Sequence, residues 1–174
     1  MTDVSELVRT FRFSVTLTAA GVAAGRAPAQ LGVGAFSECS GLELSADVLD
    51  HLEGGRNDGV VRRVGRVKLV PLVLKRGMFI PGPARAGTAS SGTADAALWN
   101  WLTGMVSGVL PIPRYNGLIQ VWSPDGRHEV ASWTFWQGLP SKVSGPTLNA
   151  MTGEVAIEEI HIVHEGLRFG RPAS

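Results

Sequence analysis

At 174 residues the chain is long enough for one domain with a substantial core and short for two. Sixteen Lys+Arg against fifteen Asp+Glu leave a net charge of +1, so no global basic field gathers nucleic-acid phosphates or anionic lipid. The single cysteine, Cys39, excludes an internal disulfide, and no apolar run reaches the roughly 18–20 residues that span a bilayer. The opening "MTDVSELVRTFRF" lacks the charged-then-apolar build of a signal peptide, which predicts cytoplasmic synthesis without a direct membrane anchor.

"FRFSVTLT", Phe11 to Thr18, puts Phe11, Phe13, Val15 and Leu17 on one face and Arg12, Ser14, Thr16 and Thr18 on the other, as a half-buried strand does. The small, turn-prone "AAGVAAGRAPAQLGVG" follows, and "AFSECSGLELSADVLD" resumes as short extended pieces broken at Gly41. Three glycines with Asn and Asp in "HLEGGRNDG" predict a long exposed excursion, since these residues tolerate positive φ and bond their own backbone. "RVKLVPLVLKRG" then returns to strand. Val67 and Leu69 share one parity and Leu72 and Leu74 the other, and a β-bulge at Pro71 is the simplest device that keeps all four on one inward face.

Pro81 to Asp95, "PGPARAGTASSGTAD", is too poor in large apolar residues to offset its ordering entropy, so a flexible insertion at 81–95 is expected. "ADAALWNWLTGMVSG" spaces Leu98, Trp101, Leu102 and Met105 as a helix, with Thr93 or Asp95 as N-cap and Gly104 or Gly108 near its end. "GLIQVWSPDGRHEVASWTFW" reads as a hairpin about Pro124-Asp125-Gly126. In "EVAIEEIHIVHEGL" the odd Val155 and Ile157 give way to the even Ile160 and Ile162. A second bulge at Glu158-Glu159 is the parallel expectation, sending a glutamate toward solvent or an adjoining chain, with continuous two-sided burial as the competing reading. The whole reads as a single domain, 1–174, mainly β with one flanking helix.

Chemistry is sparse. His161 and His164 sit three apart on a strand, point to opposite faces and cannot share a metal ion. Glu158, Glu159 and Glu165 do not converge as an acid/base pair, because adjacent strand residues diverge. The glycines around Val33 lack the rest of a dinucleotide fingerprint, and no Walker Gly-Lys-Ser/Thr occurs. Cys39 has no histidine near it in sequence and reads as a small buried thiol, while His128 beside a turn reads as solvated. Trp122, Trp133, Phe135 and Trp136 on adjoining strands fit core or interface better than a stacking platform for sugars or bases. No cofactor, no metal and no catalytic activity are expected.

Six stretches in order carry a resemblance. They are "VGAFSECSGLEL", "LEGGRND", "VLKRG", "LWNW", "WTFWQGLPSKVSGPTLNA" and the final "EVAIEEIHIVHEGL". Together they resemble the tail-tube proteins of contractile injection systems and contractile phage tails, from about Phe11 to Phe169. The resemblance implies a small β-barrel or sandwich with a flanking helix, hexameric rings stacked into a hollow tube, and no catalytic residue. It also implies a sheath that contracts around the tube, baseplate and tube-terminating partners, and effectors carried in the lumen. Related chains commonly join "LKRG" closely to "LWNW", whereas Met78 to Ala97 intervene here. A tube initiator at the baseplate is therefore the alternative role, and a monomeric β-barrel that binds a small apolar ligand is the alternative from another class.

Within that frame a ring needs one surface of each copy to meet a different surface of the next. Open sheet edges provide such contacts by strand addition. The Gly-rich loop Leu52, Glu53, Gly54, Gly55, Arg56, Asn57 and Asp58 is the candidate subunit contact, because its glycines permit close approach and its charges can form charge-assisted bonds. Arg12, Ser14, Thr16 and Thr18 are the candidates for lining the lumen.

Overall fold

The structure is a computed structural model that describes residues 12–21, 30–31, 36–51, 59–78, 94–108, 110–151 and 153–170. Among the described residues nine strands and one helix follow in order: β1 (Phe13–Ala19), β2 (Phe36–Ser40), β3 (Leu44–His51), β4 (Val61–Leu69), β5 (Leu72–Gly77), α1 (Ala97–Val106), β6 (Tyr115–Trp122), β7 (Glu129–Ser144), β8 (Ile157–Val163) and β9 (Gly166–Phe169). All pairings among them are antiparallel.

The long strand β7 joins two layers. Its first part pairs with β6 and β9, its last part with β8, so β1-β6-β7-β9 forms one sheet and β7-β8-β5-β2 the other. The corner falls at Gln137, a non-glycine residue at φ 57. That conformation is costly for a side chain and is held by a bond from the Gln137 N–H to the Asn116 side-chain oxygen at 3.0 Å. Between the layers lie Leu17, Leu72, Leu74, Ile119, Phe135, Ile160, Ile162 and Leu167, with Leu98 and Trp101 entering from the helix. Each such burial contributes on the order of 1.5–3 kcal/mol, which makes this cluster the dominant favourable term.

The expected elements are present: the alternating strand at β1, the break at Gly41, the helix and the hairpin about Pro124-Asp125-Gly126. α1 buries Leu98 and Trp101 while Leu102 and Met105 are half-buried. The Asp95 carboxylate accepts from the Ala97 N–H at 3.1 Å, and Gly108 at φ +72 closes the far end. Most of the expected insertion 81–95 lies outside the described residues. Its last residue, Asp95, is no loose loop position, because it reaches into the fold.

Both expected bulges are corrected. At Val70-Pro71 the chain does not carry a bulged strand; it ends β4 in a separate two-stranded sheet and begins β5 in the body. At Glu158-Glu159 strand β8 is unbroken, pairing residue by residue from Leu72↔Ile162 to Gly77↔Ile157. The irregularity sits on its neighbour instead, between Pro140 and Lys142 of β7. The physical reason is common to both places. The apolar residues of the two parities do not share a face: Leu72, Leu74, Ile160 and Ile162 are buried, while Val67, Val155 and Ile157 are exposed.

An unbroken β8 directs Glu158 into the protein and leaves Glu159 on the outward side, whereas the bulge was to send one of the two toward solvent or an adjoining chain. Its partner across the ladder is Arg76 of β5, and both side chains are almost fully enclosed. Arg76 Nε donates to Glu158 Oε1 at 2.5 Å, and Arg76 Nη1 lies 3.0 Å from Asp95 Oδ2 without hydrogen-bond alignment. One guanidinium therefore joins two strands to the start of the helix. Desolvated charges of this kind hold only as a set, since removing one partner leaves the other uncompensated. Arg76→Ala is expected to destabilise the fold by about 3–5 kcal/mol, and Arg76→Met combined with Glu158→Leu by less than the sum of the two single changes. Urea denaturation of the three variants measures that coupling.

Candidate assembly surfaces

Strands β2 and β5 continue outward as β3 and β4. Ser40 pairs with Val73 on the body side of the break and Leu44 with Leu69 on the far side, four residues along on each strand, so one register runs through both sheets. Hydrogen bonding stops between them, where Pro71 has no N–H to give. The four strands form one ribbon with a joint at Gly41 and Pro71. Because Leu69 and Leu72 differ in parity, the register turns the ribbon's apolar stripe away from this chain's own core.

That stripe comprises Leu44, Ala46 and Val48 on β3 with Leu69, Val67 and Val64 on β4. Val64 is 80% exposed and Val67 66%. The opposite side is mixed, with Ser45 facing Lys68, the exposed Leu49 facing Arg63 and Lys68 Nζ 2.6 Å from Asp47 Oδ1, while the Arg62–Asp50 pair ends the stripe on its own side. A bulge interrupts the pair between Ala46 and Val48, where a Cβ on Gly65 would stand 3.0 Å from the Asp47 carbonyl oxygen. The parity switch in the sequence was the signal of this surface. The candidate contact loop Leu52–Asp58 lies outside the described residues.

On the outer face of the β1-β6-β7-β9 sheet, Ser14, Thr16 and Thr18 are brought together. Their cross-strand neighbours are Gln120, Leu118 and Asn116 of β6. Ser14 Oγ accepts from Trp122 Nε1 at 3.0 Å, and Thr134 Oγ1 donates to the Gly170 carbonyl at 3.0 Å. Arg12 precedes β1, exposed, with its guanidinium against the turn at Gly126. It stands at the mouth of the strand, where its carbonyl accepts from the Trp122 N–H at 2.9 Å and continues the ladder by one bond. The face carries hydroxyls and amides together with Leu118, the exposed Arg168 opposite Thr134, and Glu129, which accepts from Gln120 Nε2 at 2.6 Å.

The outer face of the other sheet is charged. Lys75 Nζ stands 3.0 Å from Glu38 on β2 and 3.9 Å from Glu159 on β8; His161 Nε2 and Glu159 Oε1 are 2.6 Å apart, and Lys142 of β7 closes the row at 4.0 Å. The bond to His161 holds the Glu159 carboxyl below its usual range. His164 falls on the opposite side, buried against Phe135. The two histidines thus face apart, as strand parity requires, and Glu165 turns outward to Arg114. His128 is exposed at its turn, 4.0 Å from Asp125.

A cavity of about 230 Å³ opens between β1 and β2, lined by Phe13, Cys39, Leu42, Ile119, Val121 and Trp133. It is smaller than the roughly 300–1,000 Å³ typical of a small-molecule site. Burial pushes the Cys39 thiol up to about 11, away from the thiolate that nucleophilic chemistry needs. Trp133 packs edge-on to Phe169 and so belongs to the core margin, whereas Trp136 is part-exposed on the face that carries Ser14, Thr16 and Thr18.

A family model described as T4-like virus tail tube protein gp19 matches residues 9–168. The chain belongs to this tail tube family. It is a structural protein of contractile phage-tail-like particles and not an enzyme. Solved structures share its fold. The PVC sheath-tube complex of an extracellular contractile injection system in the extended state is 17% identical, with a TM-score of 0.68 over 96% of this chain and 93% of that one. The PVC sheath/tube terminator in the extended state gives 17% and 0.70 over 97% and 99%, and the tube terminating cap of the anti-feeding prophage 18% and 0.69 over 97% and 94%. A search of curated proteins found no match.

His164 generates a pH prediction for this tail tube protein. Burial lowers its pKa from 6.5, backbone groups of Val70 and Gly166 oppose this in part, and neither ring nitrogen completes a hydrogen bond of good geometry. The unfolded chain therefore takes up a proton more readily than the folded one. Stability is full above the ordinary histidine pKa and falls as pH drops below it, in a window above the carboxylate range where Glu159 begins to contribute. The urea midpoint is expected to decline from about pH 7.5 to about pH 5.5, and His164→Phe to flatten that decline.

Proposed function

We propose that the chain is the repeating subunit of the inner tube of a contractile injection system: copies close into hexameric rings and the rings stack. The observation that carries this reading is the apolar face of the β3–β4 ribbon, which no part of its own chain covers among the described residues. A two-stranded ribbon is marginal by itself in water, and an exposed apolar stripe on it needs a partner. In a tail tube protein another copy is the partner at hand.

The sheet edges supply the ring contact. β1 and β9 end the same sheet on opposite sides, so addition of one copy's β1 to the next copy's β9 is head-to-tail and extends that sheet around a closed ring. Its outer face then becomes one surface repeated in every copy. We assign that face to the lumen, with Ser14, Thr16 and Thr18 along it and Arg12 at its mouth, because hydroxyls and amides hold a hydrated channel without a strong field. Effector cargo would pass there, driven with the tube by sheath contraction through a target envelope. We assign the 81–95 insertion, apart from Asp95 at its inner end, to the outside of the wall of a single 1–174 domain, and assembly to the cytoplasm.

The solved relatives include a sheath-tube complex, a baseplate and a terminating cap. They support sheath, baseplate and cap proteins as partners, and they leave the tube initiator at the baseplate as the second role. Val64→Asp with Val67→Asp is expected to leave the circular dichroism of the isolated protein unchanged and to abolish tubes in negative-stain images. Replacing Glu53, Arg56 and Asp58 together by Ala is expected to lower tube yield with the fold intact. Full-length tubes at normal yield from the ribbon variant would remove the basis of this reading.

A further inference from the structure

The β1-β6-β7-β9 sheet ends in two free edges whose bonding groups are fixed by the strands inside it. Along β1 the even residues bond β6: the Trp122 N–H donates to the Arg12 carbonyl at 2.9 Å and the Ala20 N–H to the Arg114 carbonyl at 2.8 Å. Phe13, Val15 and Leu17 therefore aim their main-chain groups outward. On β9 the Gly170 N–H donates to the Ser132 carbonyl at 2.7 Å, and the same alternation leaves Leu167 and Phe169 to aim theirs outward. Both edges are short. β9 is only Gly166–Phe169, while on β1 the Leu17 carbonyl already accepts from the Leu31 N–H at 3.0 Å and Thr18 is bridged to Gln30, so Phe13 to Thr16 remain open. At the end of β9 the Phe169 ring stands edge-on to Trp133 and is still 67% exposed.

We propose that β9 of one copy pairs with β1 of the next in a single register, with Phe169 opposite Phe13, Arg168 opposite Ser14, Leu167 opposite Val15 and Gly166 opposite Thr16. The proposal rests on the ring reading above and goes beyond it by fixing which residues meet. Strand direction agrees with it. Neighbouring strands of the sheet alternate, so β1 and β9 run oppositely within a chain, and rotation about a ring axis keeps that relation between one copy's β9 and the next copy's β1. Leu167–Val15 and Phe169–Phe13 then become the hydrogen-bonded pairs, because these are the residues whose main-chain groups point out of each edge. Their side chains continue the inward row of Val15, Ile119, Trp133 and Phe169, and the exposed Phe169 ring gains an aromatic neighbour. The adjacent registers fail. A slip of one residue sets outward-aimed groups against inward-aimed ones. A slip of two in one direction puts Arg168 opposite Arg12, a like-charge pair, and in the other it puts Leu167 opposite Leu17, where residues 30–31 of the same chain occupy the edge.

The test uses full-length protein carrying two added cysteines. In this register Arg168 and Ser14 form a non-hydrogen-bonded pair with Cα atoms about 4.5 Å apart, within reach of a disulfide, whereas Arg168 and Thr16 are diagonal at about 7–8 Å and beyond it. Within one chain the two edges lie roughly 14 Å apart, so any such disulfide joins two copies. Ser14→Cys with Arg168→Cys, assembled and oxidised, is expected to give a ladder of covalent oligomers ending at the hexamer on a non-reducing gel. Thr16→Cys with Arg168→Cys is expected to stay monomeric there, with the unaltered protein as control for the buried Cys39 thiol. A ladder from the second pair, alone or equal to that from the first, overturns the register and leaves edge addition standing. Tubes in negative-stain images that give no ladder from either pair overturn the β1–β9 contact as well. Absence of any assembly by the unaltered protein in sedimentation overturns both the register and the ring. A second arm adds no cysteine: Phe169→Ala is expected to lower tube yield severalfold with the circular dichroism unchanged, and normal yield from it counts against the Phe169–Phe13 contact.

Discussion

Gly41 and Pro71 cross so closely that a Cβ at Gly41 would lie 2.3 Å from the Pro71 carbonyl oxygen, and Gly41 itself sits at φ +83. Only glycine satisfies both conditions at once. Pro71 withholds an N–H at the same point, so the ladder breaks there without leaving a donor orphaned. This crossing separates a packed body from a projecting ribbon while keeping their register. The ribbon's apolar surface follows from it, because turning about this joint faces Leu44, Val48, Val64 and Val67 outward while Leu72 and Leu74 of β5 stay inward.

Much of the fold was legible in local pattern. The alternation of "FRFSVTLT", the helical spacing of Leu98 and Trp101 and the Pro-Asp-Gly turn are short-range signals, and each element stands where they place it. The two parity switches were read as bulges on the assumption that apolar residues of one strand share one core. That assumption holds for an isolated domain and fails for a chain whose apolar surface is completed by neighbours. Val67 and Val155 were therefore turned the wrong way, although the switch that marks them was visible.

The Arg76–Glu158–Asp95 set was hidden for a different reason. Charges in sequence are expected at the surface, and nothing local distinguishes Glu158 from Glu159. Once β8 is unbroken, the distinction is one of parity: Glu158 shares the inward face with Ile160 and Ile162, while Glu159 shares the outward one with His161. The inward charge ties the helix to the sheets, which places the start of α1 and the end of the long insertion against the body. The two outer faces diverge in character for the same geometric reason, one hydroxyl-rich, the other a row of paired charges.

Electron cryo-microscopy of the assembled protein tests the central claim most directly, since it shows what covers the ribbon. The account expects hexameric rings in which the Leu44, Val48, Val64 and Val67 side chains are buried against another copy and Ser14, Thr16 and Thr18 border the channel. A tube in which that stripe remains open to solvent, or in which the ribbon folds back on its own chain, would contradict it.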